Sequence, residues 1–251
     1  MPKYSIVIPA YNEGARLGVT LDRVLSHVEA DGWDAEVIVV NDGSSDNTAD
    51  LVRARSAGNR RLRLIENPGN RGKGYSVRNG MLSASGEVLL FTDADLSAPI
   101  EQAPKLFDAI ASGFDVAVGS RWLEPALQAH RQSLLRQLYG RSFNLLLRIL
   151  LGLKYKDTQC GFKAFTRRAA HNLFPLQTIE GWGFDAELLF VAHRLGLSVK
   201  EVPVVWSDRA GTRIQPVRDG IRMLGEVMAI RRNALQGRYP QDDSYAATGP
   251  T

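Results

Sequence analysis

Two aspartates spaced one residue apart, Asp93 and Asp95, are the residues of this chain that most directly suggest chemistry. They follow an apolar run that predicts a buried strand over residues 87–92, so both carboxylates should emerge at the carboxyl end of that strand. Open α/β sheets bind their ligands at this edge. Paired carboxylates suit Mg²⁺ or Mn²⁺, which keep several waters and take their remaining ligands from substrate phosphates. An isolated Asp-x-Asp is also a common turn, so the rest of the chain must decide between the two interpretations.

Polar residues also follow two other predicted strands, over residues 4–8 and 36–40. The first of these strands ends in Pro9-Ala10-Tyr11-Asn12-Glu13 and the second in Asn41-Asp42-Gly43-Ser44, which place the carboxylates of Glu13 and Asp42 at the strand ends. In a doubly wound sheet these turns face the crevice that also receives Asp93 and Asp95. Four carboxylates in one cleft repel one another unless a cation or a donor-rich ligand offsets their charge. We therefore expect a metal-bound nucleotide at this edge.

A glycine-rich basic loop, Arg71-Gly72-Lys73-Gly74, precedes a predicted helix over residues 75–84. Free backbone N–H groups at a helix start, together with a lysine, can hold phosphate, although the same segment could be only a flexible turn. The loop lacks the Gly-x4-Gly-Lys-Ser/Thr spacing of a P-loop. The first predicted strand is likewise not followed by Gly-x-Gly-x-x-Gly, which removes the main support for NAD binding.

Strands alternate with helices along the first half of the chain, which predicts βαβ units, a mainly parallel sheet and an α/β fold. Further strands are predicted over residues 62–65, 116–119 and 199–206, and helices over 17–28, 134–151, 184–195 and 217–235. We expect three parts: one domain over residues 1–215, an amphipathic helix over 216–238 packed on the domain or on a membrane, and a disordered tail over 239–251.

The composition is that of a globular protein, with 251 residues of which 44% are hydrophobic. Cys160 is the one cysteine, which excludes an internal disulfide, and no charged-then-apolar leader precedes the first predicted strand. We therefore expect a reducing, cytosolic setting. Cys160 fits a small buried side chain better than a catalytic thiol, because no histidine motif accompanies it. No apolar run is long enough to span a bilayer.

Positive charge is concentrated in one segment, residues 121–156, which holds seven Lys or Arg residues and one acid. Such a segment could serve nucleic acid, anionic lipid or a phosphorylated substrate, and nucleic acid is the least supported because no nucleic-acid-binding motif accompanies the charge. The helix predicted over residues 134–151 has a leucine-rich end. It is either a core helix or an interfacial helix that places Arg136, Arg141 and Arg148 near lipid head groups.

Taken together, these motifs resemble the family 2 glycosyltransferases of the type A fold. The matching segments are residues 9–13, 41–44, 71–74 and 92–95. Three later segments, over residues 119–121, 157–163 and 182–189, are similar to the dolichyl-phosphate β-glucosyltransferases within that family. The resemblance covers residues 4–210. It implies a single nucleotide-sugar-binding Rossmann-like domain and an inverting transfer of a hexose, expected to be glucose, from a UDP-sugar to a polyprenyl phosphate, either dolichyl or undecaprenyl.

The resemblance also implies roles for individual residues. Contacts to the nucleoside would come from Pro9, Tyr11, Glu13 and Asp42. The ribose and phosphates would lie against Lys73, Asp93 and Ala94, and Asp95 with Asp93 would ligate Mg²⁺ or Mn²⁺. The acceptor phosphate would be held by Arg121, Arg131 and Arg136, for which the planar guanidinium is well suited. Asp157 and Asp185 lie in matching motifs and are catalytic candidates with Asp95 and Arg121, and either could act as a general base.

Two alternatives remain open from the sequence. The acceptor could be the hydroxyl of a saccharide or a lipopolysaccharide, or the chain could be a noncatalytic module that binds a nucleotide sugar or an anionic membrane. We expect a peripheral protein on the inner face of the cell membrane, with a UDP-sugar and a polyprenyl phosphate as ligands and no nucleic-acid partner. Assembly into an oligomer is compatible with the sequence.

Overall fold

The computed structural model describes residues 1–130, 134–207 and 216–241. Its main sheet is built from β1 (Tyr4–Ala10), β2 (Ala35–Asn41), β3 (Leu62–Glu66), β4 (Val88–Thr92), β5 (Val116–Ser120), β7 (Phe162–Thr166) and β8 (Val199–Pro203), while β6 (Gln128–His130) and β9 (Trp206–Ser207) form a separate pair. The spatial order in the seven-stranded sheet is β3-β2-β1-β4-β7-β5-β8. Only β7 is antiparallel to its neighbours among these described strands, which confirms the predicted α/β fold with a mainly parallel sheet.

Helices cover both faces of this sheet. They are α1 (Leu17–Ala30), α2 (Thr48–Ser56), α3 (Lys73–Ser83), α4 (Ala103–Ala111), α5 (Leu134–Leu151), α6 (Arg167–Leu173), α7 (Phe184–Arg194) and α8 (Pro216–Leu235). Because side chains alternate along a strand, Ile6 and Ile8 of β1 join the core beneath α1 and α4, whereas Val7 joins the core beneath α3 and α7. The result is a three-layer arrangement in which both faces of the sheet are buried.

Strand β7 was not predicted from the sequence. Its second residue, Lys163, is fully buried, so the strand lacks the continuous apolar run that identified the others. The strand pairs Thr92 of β4 with Phe162 and runs in the opposite direction. The segment that leads into β7 therefore lies at the same sheet edge as the carboxyl ends of β4 and β5.

The C-terminal part of the chain packs on the domain through α8, whose Val227 and Ile230 are fully buried. Beyond α8, Tyr239 is also buried, and its hydroxyl donates a hydrogen bond of 2.6 Å to Glu187 Oε1. The packed part of the chain thus includes Tyr239. The tail that the sequence analysis expected over residues 239–251 would therefore begin after Tyr239. The strand predicted over residues 199–206 is divided into β8 and β9.

Helix α5 combines the two environments that the sequence left as alternatives. Leu147 and Leu151 belong to the core, whereas Leu145 and Ile149 are 52% and 69% exposed. Within the described part of the chain, neither α5 nor any other helix has the length and hydropathy needed to cross a bilayer.

Candidate active site

Four strands deliver the candidate residues to one edge of the sheet. Asp42 directly follows β2, Asp93 follows β4 and Arg121 follows β5, while the turn after β1 carries Tyr11 and Glu13. These strands are parallel, so their carboxyl ends meet at that edge. The structure therefore brings together the motifs that the sequence analysis assigned to one crevice.

Asp42 is buried and its carboxylate anchors the basic glycine loop. Oδ1 accepts hydrogen bonds from Asn67 Nδ2 (2.7 Å) and the Arg71 N–H (3.0 Å), and Oδ2 accepts one from the Gly72 N–H (2.8 Å). Two N–H groups that we expected to be available to phosphate are thus used by the protein itself. A carboxylate has about four lone-pair positions, so Asp42 keeps roughly one for a ligand.

The turns after β1 and β2 are bonded to each other. The Asn12 N–H donates to Ser44 Oγ and the Glu13 N–H donates to Thr48 Oγ1, each at 2.8 Å. Asn12 has a left-handed backbone with φ of 52°, a conformation that asparagine tolerates better than most residues. The turn leaves Tyr11 exposed and Pro9 half-buried, so both can reach a ligand in the crevice.

Glu13 is bound by a residue that the sequence analysis missed. Arg16, at the entry to α1, donates to Glu13 through Nε and, at 2.8 Å, through Nη2. This hydrogen bonding, together with the negative fields of Asp95 and Asp93, raises the pKa of Arg16 in spite of burial. The i,i+3 spacing of an acid and an arginine at a helix start was the signal that could have identified the pair.

Lys73 and Asp93 form the central ion pair of the crevice. Lys73 Nζ lies 2.6 Å from Asp93 Oδ1 and 5.2 Å from the centre of the exposed Trp182 ring. Burial alone would lower the pKa of Lys73, but the carboxylates of Asp93 and Asp185 outweigh it and raise this pKa. The ammonium group is therefore held charged at the start of α3, where phosphate can also bind.

Gly161 leaves the space that Asp93 occupies. A Cβ atom at position 161 would lie 2.2 Å from Asp93 Oδ2, closer than atoms in contact can approach. Any larger residue there would displace the carboxylate. The glycine of the segment before β7 is thus a steric requirement of the Asp93 position.

Asp95 uses one of its two carboxylate oxygens to fix the turn after β4. Its Oδ1 accepts from the Ser97 N–H at 2.9 Å, and the preceding Ala94 is buried with its carbonyl bonded to Thr20 Oγ1 at 2.6 Å. Leu96 closes the turn at φ of 47°, which is a strained conformation for a branched residue. No donor among the described residues contacts Asp95 Oδ2.

The carboxylate oxygens of Asp93 and Asp95 fit a divalent cation that binds together with substrate phosphates. The described residues contain no cluster of three His, Cys, Asp or Glu side chains that could form a complete protein cage. Mg²⁺ commonly takes only one or two carboxylates and completes its shell with water and phosphate. Asp95, with Asp93 beside it, can supply that number.

The expected mutual repulsion of four carboxylates persists at Asp93, because burial and the negative fields of Asp95 and Asp185 raise its pKa in spite of Lys73. Protein donors already contact each of the four: Arg16 binds Glu13, Asn67 and two N–H groups bind Asp42, Lys73 binds Asp93, and the Ser97 N–H binds Asp95. These donors offset part of the negative charge that the sequence analysis assigned to a cation or a nucleotide alone.

Asp157 fixes Arg121 at the end of β5. Arg121 donates to Asp157 through its backbone N–H (3.0 Å), Nε (2.7 Å) and Nη2 (2.8 Å), and the Gln159 N–H donates to the same carboxylate at 3.2 Å. Burial would raise the pKa of Asp157, but Arg121 outweighs it and lowers this pKa. Asp157 is therefore an ionised partner of Arg121 with its oxygens already engaged.

Asp185 is a buried carboxylate that acts on three cationic side chains. It is paired with Lys163 Nζ inside the core, and Lys163 also donates to the Cys160 carbonyl at 2.6 Å. The negative field of Asp185 also contributes to raising the pKa values of Lys73 and Arg121. Sequence reasoning did not assign a role to Lys163.

The loop that carries Trp182 is held on three sides. Glu187 accepts from the N–H groups of Thr178 and Ile179, each at 2.9 Å, and Glu226 of α8 accepts from the Gly183 N–H at 2.7 Å. The Glu180 carbonyl in turn accepts from the Tyr75 N–H of α3. Helix α8 thus supports the wall of the crevice, a contact with no sequence signal.

Two of the predicted phosphate-binding arginines cannot be placed. Arg131 lies outside the described residues, and Arg136 lies in α5 with its side chain outside the described part of the chain. Cys160, by contrast, is confirmed as a small buried side chain. Burial raises the pKa of its thiol to about 12, so a thiolate does not form near neutral pH.

Comparison with known proteins identifies the family. Residues 5–174 match the family described as "Glycosyl transferase family 2". A dolichyl-phosphate beta-glucosyltransferase of Trichomonas vaginalis is 40% identical over 84% of this chain and 66% of its own length. The human dolichyl-phosphate beta-glucosyltransferase is 35% identical over 94% of this chain and 76% of its own length.

A solved structure shares the fold. Glucosyl-3-phosphoglycerate synthase from Mycobacterium tuberculosis, in complex with Mn²⁺, UDP and glucosyl-3-phosphoglycerate, superposes with a TM-score of 0.68 at 24% identity, covering 97% of this chain and 82% of that chain. Its fold and the matched family residues agree with the arrangement of strand ends described above. This chain belongs to glycosyl transferase family 2.

Proposed function

We propose that this protein transfers glucose from UDP-glucose to a polyprenyl phosphate with inversion at the anomeric carbon. One observation carries the proposal: the acidic pair with Lys73 and the Asp157-bound Arg121 lie at the same edge of the sheet. Such a site can receive two phosphorylated molecules side by side. The relatives' names, dolichyl-phosphate beta-glucosyltransferase, supply the identity of the sugar and the acceptor class.

On the donor side, the exposed Tyr11 and the half-buried Pro9 form the surface for the nucleoside, with Glu13 and Asp42 behind them. Lys73 lies where it can exchange Asp93 for a phosphate oxygen of the donor. Asp95, with Asp93 and the adjoining Ala94 turn, would hold Mg²⁺ or Mn²⁺. When bound, that cation offsets the negative charge of the departing diphosphate.

On the acceptor side, Arg121 would bind the phosphate of the lipid, with Arg131 and Arg136 as further candidates. A phosphomonoester has its second pKa near 6, so it is mostly dianionic at pH 7 and needs no base to attack. An oxygen of this phosphate would bond to the anomeric carbon while the bond from that carbon to UDP breaks, and UDP would leave with the electron pair. The protein's task is to align two anions.

Asp157 and Asp185 would act through the cations they bind. Asp157 is ionised and engaged by Arg121, and Asp185 is buried against Lys163. Neither carboxylate is therefore presented as a free proton acceptor. We assign Asp157 to positioning Arg121, and Asp185 to holding Lys163 in place and favouring the charged form of Lys73.

The membrane would be reached from the side of α5 and α8. These helices pack against each other and expose Leu145, Ile149 and Met228. We infer a catalytic domain over residues 1–215 with the helix over 216–238 supporting it, bound peripherally at the cytoplasmic face of the cell membrane. Exposed apolar side chains beside cationic ones suit an interfacial helix.

The proposal is tested by incubating the purified protein with UDP-glucose, Mg²⁺ or Mn²⁺, and a short polyprenyl phosphate. The expected product is a β-linked glucosyl phosphoprenol, identified by mass spectrometry and NMR. The matched controls are the corresponding polyprenol without phosphate, saccharide acceptors, and GDP-mannose as donor. Transfer to a saccharide hydroxyl but not to the phospholipid acceptor would contradict the proposal, as would the absence of any product.

A further inference from the structure

A cavity of about 430 Å³ lies outside the donor crevice. Its lining consists of Trp122, Arg141, Asn144, Leu145, Arg148 and Lys156. The Trp122 ring connects it to the acceptor side, because Arg121 Cζ lies 5.6 Å and Arg141 Cζ lies 4.8 Å from the ring centre. The cavity therefore adjoins Arg121 but is formed by different residues.

The cavity is lined by three cationic side chains, those of Arg141, Arg148 and Lys156. Within the described ranges, no carboxylate forms an ion pair with Arg141, Arg148 or Lys156. An anion in the cavity would offset the positive charge of these three side chains.

The floor of the cavity is rigid. The buried Asn144 donates from Nδ2 to the Lys156 carbonyl at 2.6 Å, and its Oδ1 accepts from the Thr158 N–H at 3.0 Å. These bonds attach α5 to the segment that contains Asp157, the partner of Arg121. Asn144 thus ties the floor of the cavity to the segment that holds Arg121.

The helix that lines the cavity also carries exposed apolar side chains. Leu145 lines the cavity, and Leu146 and Ile149 are exposed on the same helix. Met228, on the neighbouring α8, is 53% exposed. A cationic cavity beside exposed aliphatic side chains is complementary to an anionic lipid head group in charge and to its acyl chains in hydropathy.

We propose that this cavity binds the phosphate of an anionic phospholipid, and that the occupant of the surrounding face of α5 is the bilayer to which this lipid belongs. The ligand is distinct from the acceptor, whose phosphate is assigned to Arg121. Binding at the cavity requires neither UDP-glucose nor a polyprenyl phosphate. The proposal can therefore hold or fail independently of the transferase activity.

The test is cosedimentation of the full chain with phosphatidylcholine vesicles that contain or lack phosphatidylglycerol, without donor or acceptor. A basic residue at an anionic surface contributes about a fivefold change in affinity. The Arg141→Gln/Arg148→Gln variant should therefore lose about thirtyfold in affinity for the anionic vesicles. The matched control is Arg60→Gln/Arg61→Gln, which removes the same charge at the opposite edge of the sheet and should lose less than about twofold.

Equal losses in the two double variants would show diffuse attraction and overturn the site, as would a wild-type protein that does not distinguish the two vesicle types. If circular dichroism shows that Arg141→Gln/Arg148→Gln is unfolded, Lys156→Gln provides the same comparison with an expected loss of about fivefold. Inorganic phosphate is the remaining probe. Saturable phosphate binding that anionic vesicles fail to displace would assign the cavity to a soluble phosphate and overturn the lipid proposal.

Discussion

Replacing Asp157 by asparagine should separate positioning from proton transfer. The variant keeps the size of the side chain but removes the charge that three donors of Arg121 share. Asparagine retains one acceptor oxygen, so the bidentate contact to the guanidinium is lost. We expect Arg121 to lose its fixed orientation while the rest of the edge remains in place.

The magnitude follows from burial and hydrogen bonding. Breaking a buried ion pair costs about 3–5 kcal/mol of folding free energy. The Arg121 side chain is 20% exposed and can recover some hydration, so we expect the variant to lose about 3 kcal/mol of folding free energy. One misdirected charge-assisted hydrogen bond to the acceptor phosphate corresponds to about 1.5–3 kcal/mol, or about a ten- to hundredfold rise in the KM for that acceptor.

The assays are urea unfolding followed by circular dichroism and steady-state kinetics with each substrate varied. The KM for UDP-glucose should change less than about twofold. Asp115→Asn is the matched control, because Asp115 is a buried carboxylate at the other end of β5 that accepts from Arg168 and Ser198. It should lose stability without raising the KM for the acceptor. Unchanged KM values for Asp157→Asn, with a lower kcat and a shifted pH–rate profile, would refute the assignment and identify Asp157 as a base.

Three further perturbations test other parts of the site. Asp95→Asn should abolish the gain in UDP affinity that Mn²⁺ provides, as measured by calorimetry; an undiminished gain would place the cation elsewhere. Cys160 should resist iodoacetamide at pH 8 in the native protein and react after denaturation, since burial raises its pKa to about 12. Burial and Glu187 raise the pKa of Tyr239 to about 12, so the native state retains its proton and loses stability as pH rises from 10 to 12. The Tyr239→Phe variant lacks this titration, so its free energy of unfolding should fall by about 2 kcal/mol less than that of the wild type over the same pH range. An identical fall in both proteins would contradict this assignment.

The parts of the fold that could be predicted are those with a simple local pattern. The buried parallel strands β1, β2 and β4 are continuous apolar runs, and each is followed by polar residues. Because parallel strands end at one edge, the sequence was sufficient to bring Asp42, Asp93 and the turn after β1 together. The placement of Arg121 at that edge follows from β5 in the same way.

The unpredicted parts depend on contacts between distant segments. Lys163 makes β7 unrecognisable as a core strand, because its burial is possible only with Asp185, which is 22 residues away. The neutralisation of Asp93 by Lys73 and the support of the Trp182 loop by Glu226 are likewise tertiary contacts. No periodicity encodes them, so the charge balance of the crevice could not be derived from the strand ends alone.

The central claim is that two phosphorylated substrates meet at one sheet edge, and it is tested most directly by a crystal structure with Mn²⁺, UDP and a short polyprenyl phosphate. The account predicts an anomalous manganese peak beside Asp95, with the UDP diphosphate near Lys73 and the acceptor phosphorus bound to Arg121. Manganese bound elsewhere, or an acceptor phosphate bound away from Arg121, would contradict it.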